Sequence, residues 1–205
     1  MKYTRSMPTT DPVLKKRLLE EGFRPLKEPK NLLLAILSSI PFMILNVLLC
    51  YGFLRIINPQ AAESMHAVLT SSSWAFTIRF DYVIWLYAFV VIHEVLHLVF
   101  IPNFLQSDET FWGIKPWGGF VFTTQPLSKG RFLVVTLAPF VLLSFVLPAV
   151  LSVLGFLEGF ILFLIFMNAA ASSVDVLNVL LIITQVKNNS TLIQNGFETY
   201  TRLDK

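Results

Sequence analysis

Long runs of apolar residues, separated by shorter polar stretches, set the pattern of this chain. Four such runs cover residues 31–57, 81–104, 131–155 and 157–184. A helix of about 20 apolar residues is long enough to cross a bilayer. The pattern therefore predicts four transmembrane helices. Pro41, Pro139 and Pro148 fall inside these runs, where membrane helices tolerate proline and bend at it.

The polar stretch before the first run contains a helix signal. Asp11 followed by Pro12 is typical of a helix start, with Asp as the N-cap and Pro at the first helical position. The predicted helix continues through Glu21 and stops at Gly22. Leucines alternate with Lys and Arg along it, which suits a helix in the membrane interface; a solvated helix with an incidental apolar side fits equally well. We expect residues 1–10 to be disordered.

The stretch between the second and third runs has the composition of short strands. Residues 111–116 and 118–124 are rich in Phe, Trp, Val and Thr, which favour strands, and glycine follows the break between them. Pro116 confines the first segment to a sheet edge or to a strand end. We therefore expect a small β-hairpin at about residues 111–124.

The overall composition agrees with a membrane protein of one domain. Hydrophobic residues make up 55% of the 205 residues, charged residues make up 14%, and the mean hydropathy is +0.66. We expect an all-α membrane protein: four transmembrane helices, an N-terminal interfacial helix and the small hairpin. Its parts are an N-terminal segment at 1–30, a membrane domain at 31–184 and a tail at 185–205. Cys50 is the single cysteine, which excludes an intrachain disulfide and a cysteine-rich metal site.

Positive charge concentrates on one side of the predicted spans. Of the 16 Lys and Arg residues, all but Arg55 and Arg79 lie in the N-terminal segment, in or next to the connection between the second and third runs, or in the tail. The positive-inside rule places these three segments, the hairpin and both termini in the cytoplasm. We expect a multi-pass protein of the plasma membrane. The basic residues behind the net charge of +3 are then expected to face anionic lipids, and no nucleic-acid partner is expected.

A short motif in the second run carries the chemistry. Residues 93–97 read His-Glu-Val-Leu-His, the HExxH pattern of zinc hydrolases. Positions i and i+4 share a helix face, so His93 and His97 can bind one zinc ion while Glu94 acts as a general base. Hydrocarbon is a costly place for such groups, which favours a functional role. The alternative is a hydrogen-bonded pair of core histidines beside a buried glutamate.

A catalytic zinc ion usually has three protein ligands, so one more residue is needed. His66 falls in the loop between the first two runs, on the outer side. Among the acidic residues of the runs other than Glu94 of the motif, Asp175 alone lies deep within a predicted helix. At about 1.5 Å per residue, His93, His97 and Asp175 lie roughly 16, 10 and 12 Å from the cytoplasmic ends of their helices. The three groups can meet in one layer, and Asp175 is the predicted third ligand.

A polar stripe runs along the fourth span. Asn168, Ser172, Asp175 and Asn178 are spaced by three or four residues and share one helix face. Two interpretations stay open for the asparagines. They form hydrogen bonds between helices or support the metal ligands, or one of their amides stabilises an oxyanion.

These residues predict zinc-assisted hydrolysis of a peptide bond in or near a membrane-anchored protein or peptide. A second interpretation is a non-catalytic membrane protein, of a regulatory or immunity type, that retains the metal site. A third is a small transporter or proton relay that uses Glu94, His97 and Asp175.

The chain also resembles a small bacterial family of zincin membrane peptidases, a domain of unknown function. The resemblance lies in residues 25–30 (Pro-Leu-Lys-Glu-Pro-Lys), the motif at 93–97, Leu137-Ala138-Pro139 and residues 168–175. More distantly the chain is similar to site-2 proteases, intramembrane metalloproteases with HExxH in one membrane helix and an Asp ligand in a later one. This similarity implies His93, His97 and Asp175 as ligands and Glu94 as the base. Site-2 proteases typically have Gly after that Asp, whereas Val176 follows Asp175 here.

The same similarity implies a role for the hairpin. In site-2 proteases, a membrane-associated β element near the active site helps to present the substrate, and residues 111–124 resemble it. Phe120, Val121 and Phe122 are thereby implied to contact the substrate. Addition of a substrate strand to the hairpin edge would be the physical route.

Overall fold

Helices make up most of the computed structural model, which describes residues 1–6, 9–71, 79–115 and 118–204. Pro116, predicted to limit the first strand of the hairpin, and Lys205, the last residue of the predicted tail, lie outside these ranges. The helices are α1 (Pro12–Glu20), α2 (Leu32–Ile57), α3 (Pro59–Thr70), α4 (Phe80–Val99), α5 (Lys129–Val141), α6 (Leu147–Leu154), α7 (Gly159–Ala171) and α8 (Ser173–Gln185). A π-helical turn, Leu142–Val146, joins α5 to α6.

The described residues contain the four long apolar helices that the sequence predicts. Four helical stretches there are long and apolar enough to cross a membrane: Leu32–Ile57, Phe80–Val99, Lys129–Leu154 and Gly159–Gln185. The second ends at Val99 and not, as predicted, at Phe104. Pro102 accounts for this, because proline lacks the N–H that continues a helix and disfavours the helical conformation of the preceding residue.

The centre of the bundle lies between α2 and α7. Cys50 and Leu54 of α2 and Ile165 and Ala169 of α7 are completely buried. The side-chain amide of Asn46, also buried, donates a hydrogen bond of 3.1 Å to the Ala169 carbonyl. This bond satisfies a polar group that hydrocarbon would otherwise leave without a partner.

Helix α3 was not predicted. Its start has ordinary helix signals: the Asn58 side chain accepts a hydrogen bond from the Ala61 N–H at 3.0 Å, and Pro59 occupies the first turn. His66, which we excluded as a ligand, lies exposed on this helix.

Two prolines shape the third span. Pro148 offers no N–H to the carbonyl of Ser144, four residues earlier, and the helix widens there into the π-helical turn. The Ser144 carbonyl accepts instead a hydrogen bond from the Cys50 thiol, with 3.6 Å between Sγ and oxygen. Pro139 likewise leaves the Val135 carbonyl without its helical donor. Both carbonyls are therefore available to side chains of neighbouring helices.

Seven short strands in the described residues form two sheets. They are β1 (Lys2–Tyr3), β2 (Arg24–Pro25), β3 (Thr110–Lys115), β4 (Gly118–Thr123), β5 (Leu127–Ser128), β6 (Ser190–Asn195) and β7 (Glu198–Leu203). The strand orders are β1-β3-β4 and β2-β7-β6-β5. The antiparallel pair of β3 and β4 forms the hairpin expected at 111–124. The all-α prediction is nevertheless incomplete, because the protein is mostly helical with two small sheets.

The N-terminal segment and the tail belong to these sheets. Strand β1 pairs in parallel with β3, so the expectation of disorder is wrong for Lys2 and Tyr3. Strands β6 and β7 form a hairpin in the predicted tail; β2 pairs with β7, and β5 pairs with β6. These pairings bring the N-terminal segment, the connection between α4 and α5 and the tail together at one end of the helices.

Helix α1 packs on the second sheet. As predicted, Asp11 caps it, accepting a hydrogen bond of 2.8 Å from the Val13 N–H. Leu18 is completely buried in a cluster with Phe23, Ile193 and Tyr200. The prediction of an interfacial helix is therefore wrong about this side of α1, which protein covers.

Glu28 links the segment before α2 to the tail hairpin. Its carboxylate accepts a hydrogen bond from the backbone N–H of Thr199. Nearby, the side-chain amide of Gln185 makes two hydrogen bonds, of 2.8 and 2.9 Å, with the backbone of Lys27. Burial raises the pKa of Glu28 to about 7. The fold therefore favours the neutral form of this carboxyl group.

We expect the Glu28→Gln variant to lose part of the pH dependence of stability. Because the pKa of Glu28 is about 7 in the folded state and near 4.5 when solvated, the folded state holds a proton that the unfolded state releases between these pH values. The wild type should therefore lose stability as the pH rises from 4.5 to 7. Over that pH interval, the free energy of unfolding of the neutral variant should rise by at most about 3 kcal/mol relative to that of the wild type.

Thermal unfolding in detergent, followed across this pH range, measures the difference. Glu20→Gln, which removes an exposed carboxyl from α1, is the matched control. Equal pH profiles for the two variants would contradict the prediction.

Candidate metal centre

Helix α4 holds both histidines of the motif on one face. The ring centroids of His93 and His97 are 4.9 Å apart. Their side chains are largely buried, with 14% and 13% of the surface exposed. His97 lies in the last turn of α4, since the helix ends at Val99. The pair is therefore close to one end of the second span.

Asp175 faces the two histidines from α8. Its Oδ2 lies 3.4 Å from Nε2 of His93, and its Oδ1 lies 3.6 Å from Nε2 of His97. The fourth span is interrupted at Ser172, where ψ is 8° instead of the usual helical value of about −42°. Asp175 thus lies in the first turn of α8: it is deep within the fourth span, Gly159–Gln185, as predicted, but the helix there is not continuous. The predicted meeting of the three groups is nevertheless seen.

The orientation of His97 depends on a carbonyl in the third span. Its Nδ1 lies 2.8 Å from the carbonyl oxygen of Val135, the group that Pro139 leaves without a helical donor. A carbonyl only accepts, so Nδ1 carries the proton and donates it. Nε2 then presents a lone pair toward Asp175.

The orientation of His93 depends in the same way on Asn168. The amide nitrogen of Asn168 donates to Ser144 Oγ at 2.9 Å and to the Pro139 carbonyl at 3.4 Å. This places its Oδ1 toward His93, where it lies 2.8 Å from Nδ1. His93 therefore also donates through Nδ1 and presents Nε2 as a lone pair. Such outer contacts typically orient metal-binding histidines.

The three donor atoms fit a zinc ion. Two imidazole nitrogens and a carboxylate face one another, and one ligand atom from each residue lies within 4.8 Å of the others. Two ligands of a tetrahedral zinc ion, each about 2.1 Å from it, lie about 3.4 Å apart. The separations of 3.4 and 3.6 Å agree with this value. The three residues therefore fit a metal cation such as zinc.

Glu94 lies beside the centre, against strand β4. A Cβ atom added to Gly119 would be 2.5 Å from the Cγ of Glu94, so only glycine permits this approach. A cavity of about 250 Å³ adjoins Glu94 and His93 between α4, α7 and β4. The carboxylate of the motif therefore faces a space that a ligand can occupy.

The remaining predicted residues lie in different places. Asn178 lines another cavity, together with Glu28 and Thr199. On β4, Gly119 and Val121 share the face toward Glu94, whereas Phe120 and Phe122 point to the opposite face.

Sequence reasoning missed the supports of the centre, Val135 and Ser144, and the close approach of Gly119. For Val135 a signal was present, because its carbonyl lies four residues before Pro139; Ser144 supports the centre through its hydroxyl, for which the sequence gives no such signal. Which side chain uses the carbonyl depends on the neighbouring helices.

The comparison with protein families agrees with this geometry. A family model described as "Putative zincin peptidase" (DUF3267) matches residues 86–191, about half of the chain. The match includes His93, Glu94, His97 and Asp175. This chain belongs to that family. The description points to a zinc metallopeptidase; no curated protein and no solved structure matches the chain.

For this zincin-family centre, we expect Asn168→Ala to weaken zinc binding although every ligand remains. Loss of a residue that orients a metal-binding histidine typically lowers metal affinity by about 10–100-fold. Asp175→Ala should lose the zinc ion altogether. Zinc content and competition with a chelator measure both effects. Asn46→Ala, which removes another buried membrane asparagine, should bind zinc normally; wild-type affinity in Asn168→Ala would refute the orienting role.

Proposed function

We propose that this chain is an intramembrane zinc metallopeptidase that hydrolyses a peptide bond in or near a membrane-anchored substrate. The observation that carries the proposal is the meeting of His93, His97 and Asp175 beside Glu94, between helices long enough to cross a membrane. When bound by the three ligands, zinc would lower the pKa of a water molecule and polarise the scissile carbonyl.

The chain's own residues supply the proton transfer and the alignment. Glu94 accepts a proton from the attacking water and passes it to the leaving amine. Val135 and Asn168 hold the two imidazole rings through Nδ1, so that both Nε2 atoms stay directed at one point. The Asn168 amide hydrogens already bond to Ser144 and Pro139, which favours an orienting role over stabilisation of an oxyanion.

Strand β4 offers a route for presenting the substrate. It is the edge strand of its sheet in the described part of the chain. The carbonyl of Trp112 accepts a hydrogen bond of 2.9 Å from the Thr4 N–H, on the side of β1. In an antiparallel pair, its partner Val121 then directs its own N–H and C=O to the open edge. We place an extended substrate along that edge, bound by its backbone.

The proposed location is the plasma membrane, with both termini in the cytoplasm. The sheets gather the N-terminal segment, the connection between α4 and α5 and the tail at one end of the helices. These segments hold nearly all the Lys and Arg residues, which supports a cytoplasmic position for that end.

We expect Glu94→Gln to abolish cleavage but to retain zinc. A general base contributes about 10²–10⁴-fold to the rate, whereas the metal ligands are untouched. Quantitative analysis of new protein N-termini, in membranes from cells that express either form, measures the loss. Glu63→Gln, an exposed change on α3, is the control. Full biological activity of Glu94→Gln would favour a non-catalytic regulatory or immunity-type protein.

We expect Gly119→Ala to slow cleavage while zinc binding stays intact. The new methyl group would collide with Glu94 at 2.5 Å and displace either the carboxylate or β4. A misplaced catalytic group of this kind costs on the order of 10²-fold in rate. Gly130→Ala, whose added Cβ meets no atom within 4 Å, is the matched control. Equal rates for the two variants would rule out a functional contact between β4 and Glu94.

A further inference from the structure

The cavity beside Glu94 has two different walls. One wall is formed by the polar residues His93, Glu94 and Asn168 together with Gly118 and Gly119 of β4. The other wall is apolar and consists of Leu86, Phe89, Val90, Leu164, Met167 and Ala171. A molecule in this cavity therefore contacts the motif on one side and apolar side chains on the other.

The size and chemistry of the cavity define what it accepts. A cavity of about 150 Å³ lined by apolar side chains holds a benzene ring, and this one measures about 250 Å³. The polar atoms of His93 and Asn168 are already engaged in the hydrogen bonds of the centre, and the Glu94 carboxylate is needed for the attacking water in the proposed reaction. A polar side chain would lose its hydration here and gain few partners. The space suits one large apolar side chain.

The opening of the cavity is on the lipid side. Leu164, at its base, is 4% exposed, whereas Leu86 and Met167 at its rim are 37% and 42% exposed. These rim residues belong to the outer surfaces of α4 and α7, where hydrocarbon surrounds a membrane span. A group reaching the cavity therefore comes laterally from the bilayer, between α4 and α7.

We propose that this cavity is the specificity pocket of the peptidase and receives a large apolar side chain, such as Leu, Met or Phe, from a residue next to the scissile bond. The proposal rests on the proposed function. The cavity lies between the open edge of β4 and the centre, because Gly118 and Gly119 of β4 line it together with His93 and Glu94. A substrate strand along β4 thus runs past the pocket and Glu94 together.

Binding of acylated amino-acid hydroxamates to the zinc-loaded protein tests the pocket without a cleavage assay. The hydroxamates of Leu and Phe should bind about tenfold or more tightly than the Gly compound, the scale of discrimination that apolar pockets achieve. Ala171→Leu fills the rim and should remove this preference while affinity for the Gly compound is kept. Ala67→Leu, an exposed change on α3, should behave as wild type. Met167→Trp fills the same opening if Ala171→Leu fails to fold.

The outcomes separate the pocket from the reaction. Equal affinities for the Gly, Leu and Phe compounds in the wild type, or an unchanged preference in both filled variants, would overturn the pocket. Cleavage that depends on Glu94 would then still support the peptidase. Conversely, a side-chain preference removed by the filled variants, with no cleavage that depends on Glu94, would support the pocket and overturn the peptidase.

Discussion

The carbonyl oxygen of Val135 has no helical donor, because the residue four positions later is a proline, and the candidate metal centre depends on this free carbonyl. In hydrocarbon a backbone carbonyl without a partner is costly, so the pairing with Nδ1 of His97 stabilises the bundle and fixes the ring. Pro148 acts on the same span at Ser144, whose carbonyl pairs with Cys50 and whose hydroxyl accepts from Asn168. A helix with two local defects thereby positions ligands that belong to its neighbours.

The same hydrogen bonds hold the helices together and orient the centre. Membrane helices gain little from hydrophobic burial against one another, so packing and polar contacts decide their arrangement. Asn46 bonds to the Ala169 carbonyl, and the hydroxyls of Ser39 and Ser173 lie 3.1 Å apart between α2 and α8. These contacts hold α2 against the two parts of the interrupted fourth span and touch none of the predicted ligands. The bonds of His97 to Val135 and of Asn168 to Ser144 both join helices and orient the centre.

Two features of the structure could be predicted from local signals in the sequence. The four spans follow from the length of the apolar runs, and the meeting of His93, His97 and Asp175 follows from helix spacing and depth. The break at Ser172 could not be predicted, because Ser occurs in continuous membrane helices and the surroundings decide its backbone angles.

The tail sheet had a usable signal. Gly196 and Phe197 form the two-residue loop between β6 and β7, since Asn195 pairs with Glu198, and a glycine with positive φ (+62°) at the first loop position is typical of a hairpin turn. What such signals do not specify is the partner. Strands β2 and β5 contain two residues each. Such a short segment forms a strand only where a longer neighbouring strand provides backbone hydrogen bonds.

The pairing of β2 with β7 connects a segment that is synthesised early with one that is synthesised late. β2 precedes the first span, whereas β7 follows the last, and Asp175 lies in that last span. While the chain is being synthesised, α4 can enter the bilayer with HEVLH, but the third ligand and the closing strand are still missing. Such long-range contacts form late. A nascent chain thus carries an incomplete centre, and the proposed peptidase would become active only after the fourth span has docked.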